Sequence, residues 1–239
     1  MAPKIIVSYD DTDNDRDALA LGKLFEGAGG ELELAYVRHS YGESLEQKEA
    51  EELLARGAAA AGAPEMPRRV IVNPNTSVGL SELAEAENAD VIVFGSEYRT
   101  AAGIVKPGIS AHKLLLGAPA AIAVAPAGLR ERPRGVSTIG VRDEGDDAAR
   151  ATAESLAAAL GATVLVYERG AVDMLVVGSR PEAPQGRVTL SAASDYVVEA
   201  ATFPVIVVPR GVTIRFDAAP VAPRSSQPPS EPSAPPVGA

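Results

Sequence analysis

Short unbroken apolar runs alternate along this chain with longer stretches in which apolar residues return every three or four positions. Lys4–Tyr9 is a buried-strand pattern that ends abruptly in the acidic turn Asp10-Asp11-Thr12-Asp13. After it, Ala18, Leu21, Phe25 and Ala28 recur at the helical period, and Gly27, Gly29 and Gly30 stop that helix. Glu31–Val37 alternates as a second strand. The spacing then predicts a helix over Glu43–Ala61, a strand at Arg69–Val72, a helix over Val78–Glu87, a strand at Asp90–Gly95, a helix over Ser110–Leu116 and a strand at Ala120–Ala125. Strands alternating with helices in this way predict a parallel α/β architecture.

The second half repeats the first. Gly95-Ser96 recurs as Gly178-Ser179 at an offset of 83, which also carries Asp90 to Asp173 and Pro126 to Pro209. Nearer the start of each half the offset is larger. Asp10 pairs with Asp143 at 133, and Tyr36 with Tyr167 at 131. About 48 residues of the first copy, the helix–strand–helix between Arg38 and Ala89, therefore have no counterpart in the second. Glu168–Val172 is shorter than the dozen or so residues a parallel crossover usually takes. Thr163–Tyr167 is accordingly open to either direction, antiparallel to Met174–Val177 through a tight Arg169-Gly170 turn or parallel. From Asp217 the composition changes: seven of the 19 prolines fall in the last 20 residues, and this stretch is expected to be a disordered tail.

Composition removes several classes of function. The chain has 239 residues, of which 46 % are hydrophobic and 4 % aromatic, with no Trp. A formal charge of −10 with no basic run argues against gripping nucleic acid by its phosphates. With no cysteine, thiolate catalysis, disulfides and Cys-ligated metals are excluded. No apolar stretch approaches the roughly 20 residues of a membrane span, and Met1–Asp10 does not read as a signal peptide. The expectation is a cytoplasmic protein that contacts neither membrane nor nucleic acid.

Candidate chemistry concentrates in Asp90–Ser110, where a buried strand runs into Gly95-Ser96, then a loop, then Gly108 just ahead of a helix. Glycines let a backbone approach a phosphate, and the first N–H groups of a helix point toward it. The acidic turn with Asp11, Asp13 and Asp15 reads as a solvated helix cap. As a calcium loop it fails, because Arg16 and Gly22 stand where Gly and Glu are required. His39 and His112 are isolated, His39 in a loop and His112 on an exposed helical position. No Gly-x-Ser-x-Gly elbow or complete P-loop occurs, so the chain is not expected to be an enzyme.

The same stretch resembles the motif of the universal stress proteins: Gly, two residues, Gly, nine residues, Gly, then Ser or Thr. Gly95 matches the first glycine, Gly108 the third, and Arg99 the basic residue that often follows the second. Tyr98 stands in place of the second glycine and Ile109 in place of the first hydroxyl residue, with Ser110 one position later. Val7–Thr12, Ala35–Val37 and Ile122–Pro126 are similar to the family's first, second and closing strands, and Phe203–Pro209 repeats the last of these. The resemblance implies two tandem, doubly wound, mostly parallel α/β units of universal-stress type, related to the adenine-nucleotide hydrolases, with the second abbreviated. Their expected bounds are 1–128 and 129–215, with 216–239 as the tail.

The family's functional pattern implies a stress-response module that binds ATP or AMP, with Mg²⁺, in the first unit. Asp10 and Thr12 would take the ribose side, Val37 the adenine edge, and Gly95, Ser96, Arg99, Gly108 and Ser110 the phosphates. At offset 83, Tyr98 becomes Pro181, Gly108 becomes Ser191 and Ser110 becomes Ala193, so the second unit is expected to bind nothing and to serve as a partner. The closing strands imply an internal pseudo-dimer and allow a homodimer of chains. The alternative reading is an interaction protein of the same family whose cavity Tyr98 and Ile109 have closed; a nucleotide hydrolase is a more distant third.

Overall fold

The computed structural model describes residues 1–39, 45–131 and 135–216. The predicted start of the second helix at Glu43 and the tail beyond Phe216 lie outside the described residues. The chain begins with β1 (Lys4–Ser8), α1 (Asp13–Gly27), β2 (Glu31–Arg38), α2 (Gln47–Ala60) and β3 (Arg68–Val72). It continues through α3 (Thr76–Glu87), β4 (Val91–Gly95), α4 (Ile109–Leu114) and β5 (Ala121–Ala125). The second half is β6 (Thr138–Arg142), α5 (Asp147–Leu160), β7 (Thr163–Val166), β8 (Met174–Gly178), α6 (Ala192–Glu199) and β9 (Val205–Val208).

All nine strands join one sheet in the order β3-β2-β1-β4-β5-β9-β8-β6-β7. Pairing is parallel within each half. The halves meet where β5 runs antiparallel to β9, with Ala123 opposite Ile206. The two halves of the chain are thus hydrogen-bonded edge to edge through β5 and β9 into a single mostly parallel sheet. Strands buried on both faces need apolar residues at every position, and β5 (Ala-Ile-Ala-Val-Ala) and β9 (Val-Ile-Val-Val) supply them. One face packs Leu21, Phe25, Leu54 and Leu156 from α1, α2 and α5. The other packs Leu80, Leu114 and Val198 from α3, α4 and α6. Among the described residues no helix is long and apolar enough to cross a membrane.

β7 runs parallel to β6, Thr138 opposite Thr163, and β8 lies parallel on the other side of β6. The short connection between β7 and β8 therefore crosses β6 without a helix. Gly140 on β6 makes this geometry feasible. A Cβ there would lie 3.1 Å from the Tyr167 Cβ and 3.2 Å from a Val172 methyl, so the crossing chain rests directly on the bare backbone of β6. The Tyr167 N–H donates to Val141 and the Asp173 N–H to Thr138, which fixes both ends.

Candidate functional site

In each half the chain leaves the central strand toward one side and returns on the other, opening a crevice beyond the strands' carboxyl ends. In the first half the crevice lies between β1 and β4. It is a cavity of about 640 Å³ reached by Asp10, Thr12, Asp13, Asn14 and Asp15 from the acidic turn, by Gly95–Tyr98, and by Gly108–Ala111. The acidic turn is built by local hydrogen bonding. The Thr12 hydroxyl accepts from the Asp15 N–H and donates to the Asp15 carboxylate at 2.6 Å, a reciprocal cap that starts α1. Asp11 adopts a left-handed conformation, φ 57°, and its carboxylate accepts from the Tyr9 hydroxyl (2.9 Å) and from Arg16 (3.0 Å).

These carboxyl groups titrate differently. Desolvation by the surrounding turn, then the neighbouring Asp15 charge, pushes Asp10 up from its ordinary value, with His39 opposing. Burial also raises Asp15, against the hydrogen bonds it accepts from Thr12 and the Asp10 backbone. Asp11 is partly desolvated, yet its bonds to Arg16 and Tyr9 hold it below its ordinary value.

Six of the eight predicted binding residues line this cavity: Asp10, Thr12, Gly95, Ser96, Gly108 and Ser110. Val37 and Arg99 lie outside it. Val37 is buried beneath α3, its methyl 3.2 Å from where a Cβ on Gly79 would sit. Arg99, at φ 67°, is exposed with its guanidinium 5.1 Å from the Tyr98 ring centroid.

Two of the lining residues are tied into the fold. A Cβ on Gly95 would come within 1.9 Å of the Asn14 carbonyl oxygen, so this glycine lets α1 pack on the end of β4. The Ser96 hydroxyl is buried; it donates to the Ala125 carbonyl (2.7 Å) and accepts from the Lys106 N–H (3.1 Å). In the second half Ser179 makes the same pair of bonds with Val208 and Thr189, all at offset 83. The Gly-Ser step is thus a structural clip in both halves, and the matching offsets at Ala125/Val208 and Lys106/Thr189 are the sequence signal for it. Gly108 is different. A Cβ there would meet nothing within 4 Å, its φ is −73°, and no side chain caps α4 behind it.

Tyr98 and Ile109, which replace the family's glycine and hydroxyl, are 76 % and 75 % exposed and stand at the mouth of the cavity without filling it. Sequence reasoning missed Asn14, Phe94 and Thr76, which also line it. It also set His39 in an open loop, whereas the ring is half-buried and within hydrogen-bond distance of Thr76 Oγ1 (3.3 Å) and the Pro74 carbonyl (3.3 Å). His112 is exposed, as expected. Among the described residues no three His, Asp or Glu side chains converge to hold a metal ion.

At the corresponding crevice of the second half, side chains bond to one another. Glu144, at the position of Asp11, accepts from Ser191 Oγ (3.2 Å), from Ser194 Oγ and from Arg142 Nε (3.2 Å). Ser191 caps α6 by accepting from the Ser194 N–H at 3.1 Å. A carboxylate of the chain thus occupies the start of α6.

These features define a doubly wound α/β protein with an open switch-point cavity in its first half. Its fold is that of the universal stress proteins. It superposes on a universal stress protein from Archaeoglobus fulgidus DSM 4304 with a TM-score of 0.55 at 18 % identity, covering 87 % of this chain and 98 % of that one. A putative universal stress protein from Pseudomonas aeruginosa UCBPP-PA14 gives 0.61 at 14 % identity over 87 % and 93 %. A functionally unknown protein from Pseudomonas aeruginosa PAO1 gives 0.60 at 15 % over the same shares. No family model and no curated protein matches the sequence.

Proposed function

We propose that the chain is a stress-response binding module that holds an adenine nucleotide, AMP or ATP, in its first half and turns over no substrate. Residues 1–128 form the binding unit and 129–215 its structural partner. The observation that carries this reading is the cavity at the β1/β4 switch point with an open Gly108 at its wall. That glycine has no packing role, so its absent side chain serves whatever enters the cavity. Asp10 and Ser110 both line this cavity, which supports giving the Asp10 carboxylate the ribose hydroxyls and the Ser110 hydroxyl a phosphate. A Mg²⁺ ion carried by the nucleotide would offset the charge of the phosphates against Asp10, Asp13, Asp15 and Glu97 of the cavity wall.

Calorimetric titration of the full chain with AMP, and with ATP plus Mg²⁺, tests this. Saturation near one site per chain is expected. Absence of heat and of thermal stabilisation at millimolar ligand would contradict it and leave the alternative, an interaction protein working through its surfaces.

A further inference from the structure

Among the described residues the sheet ends in two outer strands, β3 and β7, because β5 and β9 are spent on each other. The two edges are finished differently. β3 carries Arg68 and Arg69, both exposed, and is bracketed by Pro67 and Pro74; charge and proline keep an edge from recruiting a further strand. β7, Thr163-Val-Leu-Val166, has neither, and its Leu165 and Val166 are 47 % and 66 % exposed. The shortening of the second half accounts for that exposure. In the first half α2, β3 and α3 pack around β2, and Leu34, opposite Val7 in the ladder, is fully buried. Val166 stands opposite Val141, and among the described residues the second half has no counterpart of those three elements to cover it.

We infer that β7 is a docking edge for a second copy of this chain, pairing antiparallel with the other β7 about a twofold axis at Leu165. The backbone sets that register. The Thr163 N–H donates to Ser137 and the Tyr167 N–H to Val141, so these residues and, by the two-residue period, Leu165 turn their polar groups toward β6. Val164 and Val166 turn theirs to the free edge. In the twofold pairing Val164 lies opposite Val166 of the second copy, each exchanging N–H and C=O bonds with the other, and every outward group of the strand is used. Leu165 meets its own counterpart at a non-hydrogen-bonded position, where facing side chains come closest. Thr163 falls opposite Tyr167, so no like charges oppose along the strand. The occupant must bring an uncharged strand with one free edge, which a second β7 does. The chain already joins its own halves by the same antiparallel edge pairing, between β5 and β9. With β3 guarded, the contact closes at a dimer. A four-residue strand pair sits at the small end of interfaces, below about 1,200 Å², so the dimer is a weak one with a Kd on the order of 100 μM.

Sedimentation velocity of the full-length protein, over a concentration series spanning that value, is expected to show a monomer–dimer equilibrium. Leu165→Lys sets two ammonium groups against each other and is expected to weaken the dimer at least ~tenfold. Val72→Lys, at a comparably exposed position on β3, is expected to leave it unchanged. The chain has no cysteine, so Leu165→Cys carries a single thiol. Copper–phenanthroline oxidation is expected to link that thiol to its counterpart in a disulfide dimer, with Val72→Cys remaining unlinked. This readout stands even where the lysine variant fails to fold. A protein that is monomeric throughout the series would overturn the inference and leave the edge to a strand of another protein. A dimer that Leu165→Lys leaves intact, or that Leu165→Cys does not cross-link, would overturn it as well.

Discussion

The two halves of the sheet carry the same crevice, and their difference lies in what happens to one carboxylate. In the first half, Asp11 is drawn away by Tyr9 and Arg16, and the cavity between the acidic turn and α4 stays open. In the second half, Arg142 stands at the position of Tyr9 and Glu144 at that of Asp11, and the longer carboxylate lies on Ser191 and Ser194 at the start of α6. Gly108 has become Ser191, which caps the helix that Gly108 leaves uncapped. One half is built with its polar groups satisfied internally, as a stable domain prefers. The other leaves Gly108 and the uncapped start of α4 facing an open cavity.

The largest expected break in this comparison is at the paired glycines. Gly95→Ala forces a Cβ onto the Asn14 backbone and is expected to cost about 3 kcal/mol, whereas Gly178→Ala, whose nearest neighbour is 3.3 Å away, is expected to cost under about 1 kcal/mol. Urea midpoints of the two variants measure the difference. Next, Gly108→Val is expected to abolish nucleotide binding while moving the urea midpoint little, because its side chain enters empty space. Unchanged affinity would remove Gly108 from the site. In the second crevice, Glu144→Ala is expected to destabilise the fold by about 1 kcal/mol, since two serine hydroxyls and Arg142 lose their shared acceptor.

The remaining effect appears only at high pH and is a titration. Burial, then the hydrogen bond to Asp11, raises Tyr9 from 10.0 to about 12. The folded state therefore keeps a proton that the unfolded chain gives up. Its contribution is fully present below pH 10 and is lost as pH rises from 10 toward about 12. Phenolate absorbance of the native protein should include a late-titrating component that Tyr9→Phe removes.

Much of the fold was legible in the sequence because buried parallel strands are short, continuous and apolar, and because the halves repeat, at an unbroken offset of 83 from Asp90 to Pro126. The same burial hid part of the site. In β2 apolar residues fall on both faces, so nothing local says that Val37 points under α3 and away from the crevice. The Gly-Ser step has the residue types of a phosphate loop, yet its hydroxyl closes a backbone gap that exists only once β5 lies beside β4. The direction of β7 stayed open because crossover length assumes an intervening helix, and the bare surface of Gly140 removes that need. That Glu144 bonds the start of α6 depends on side-chain reach, which no spacing records.

The most direct test of the central claim is amide hydrogen exchange on the full-length chain with and without saturating AMP. The asymmetry described here predicts ligand-dependent protection in the acidic turn and in 108–114, with 191–199 unchanged. Equal protection in both halves, or protection confined to the second, would contradict it.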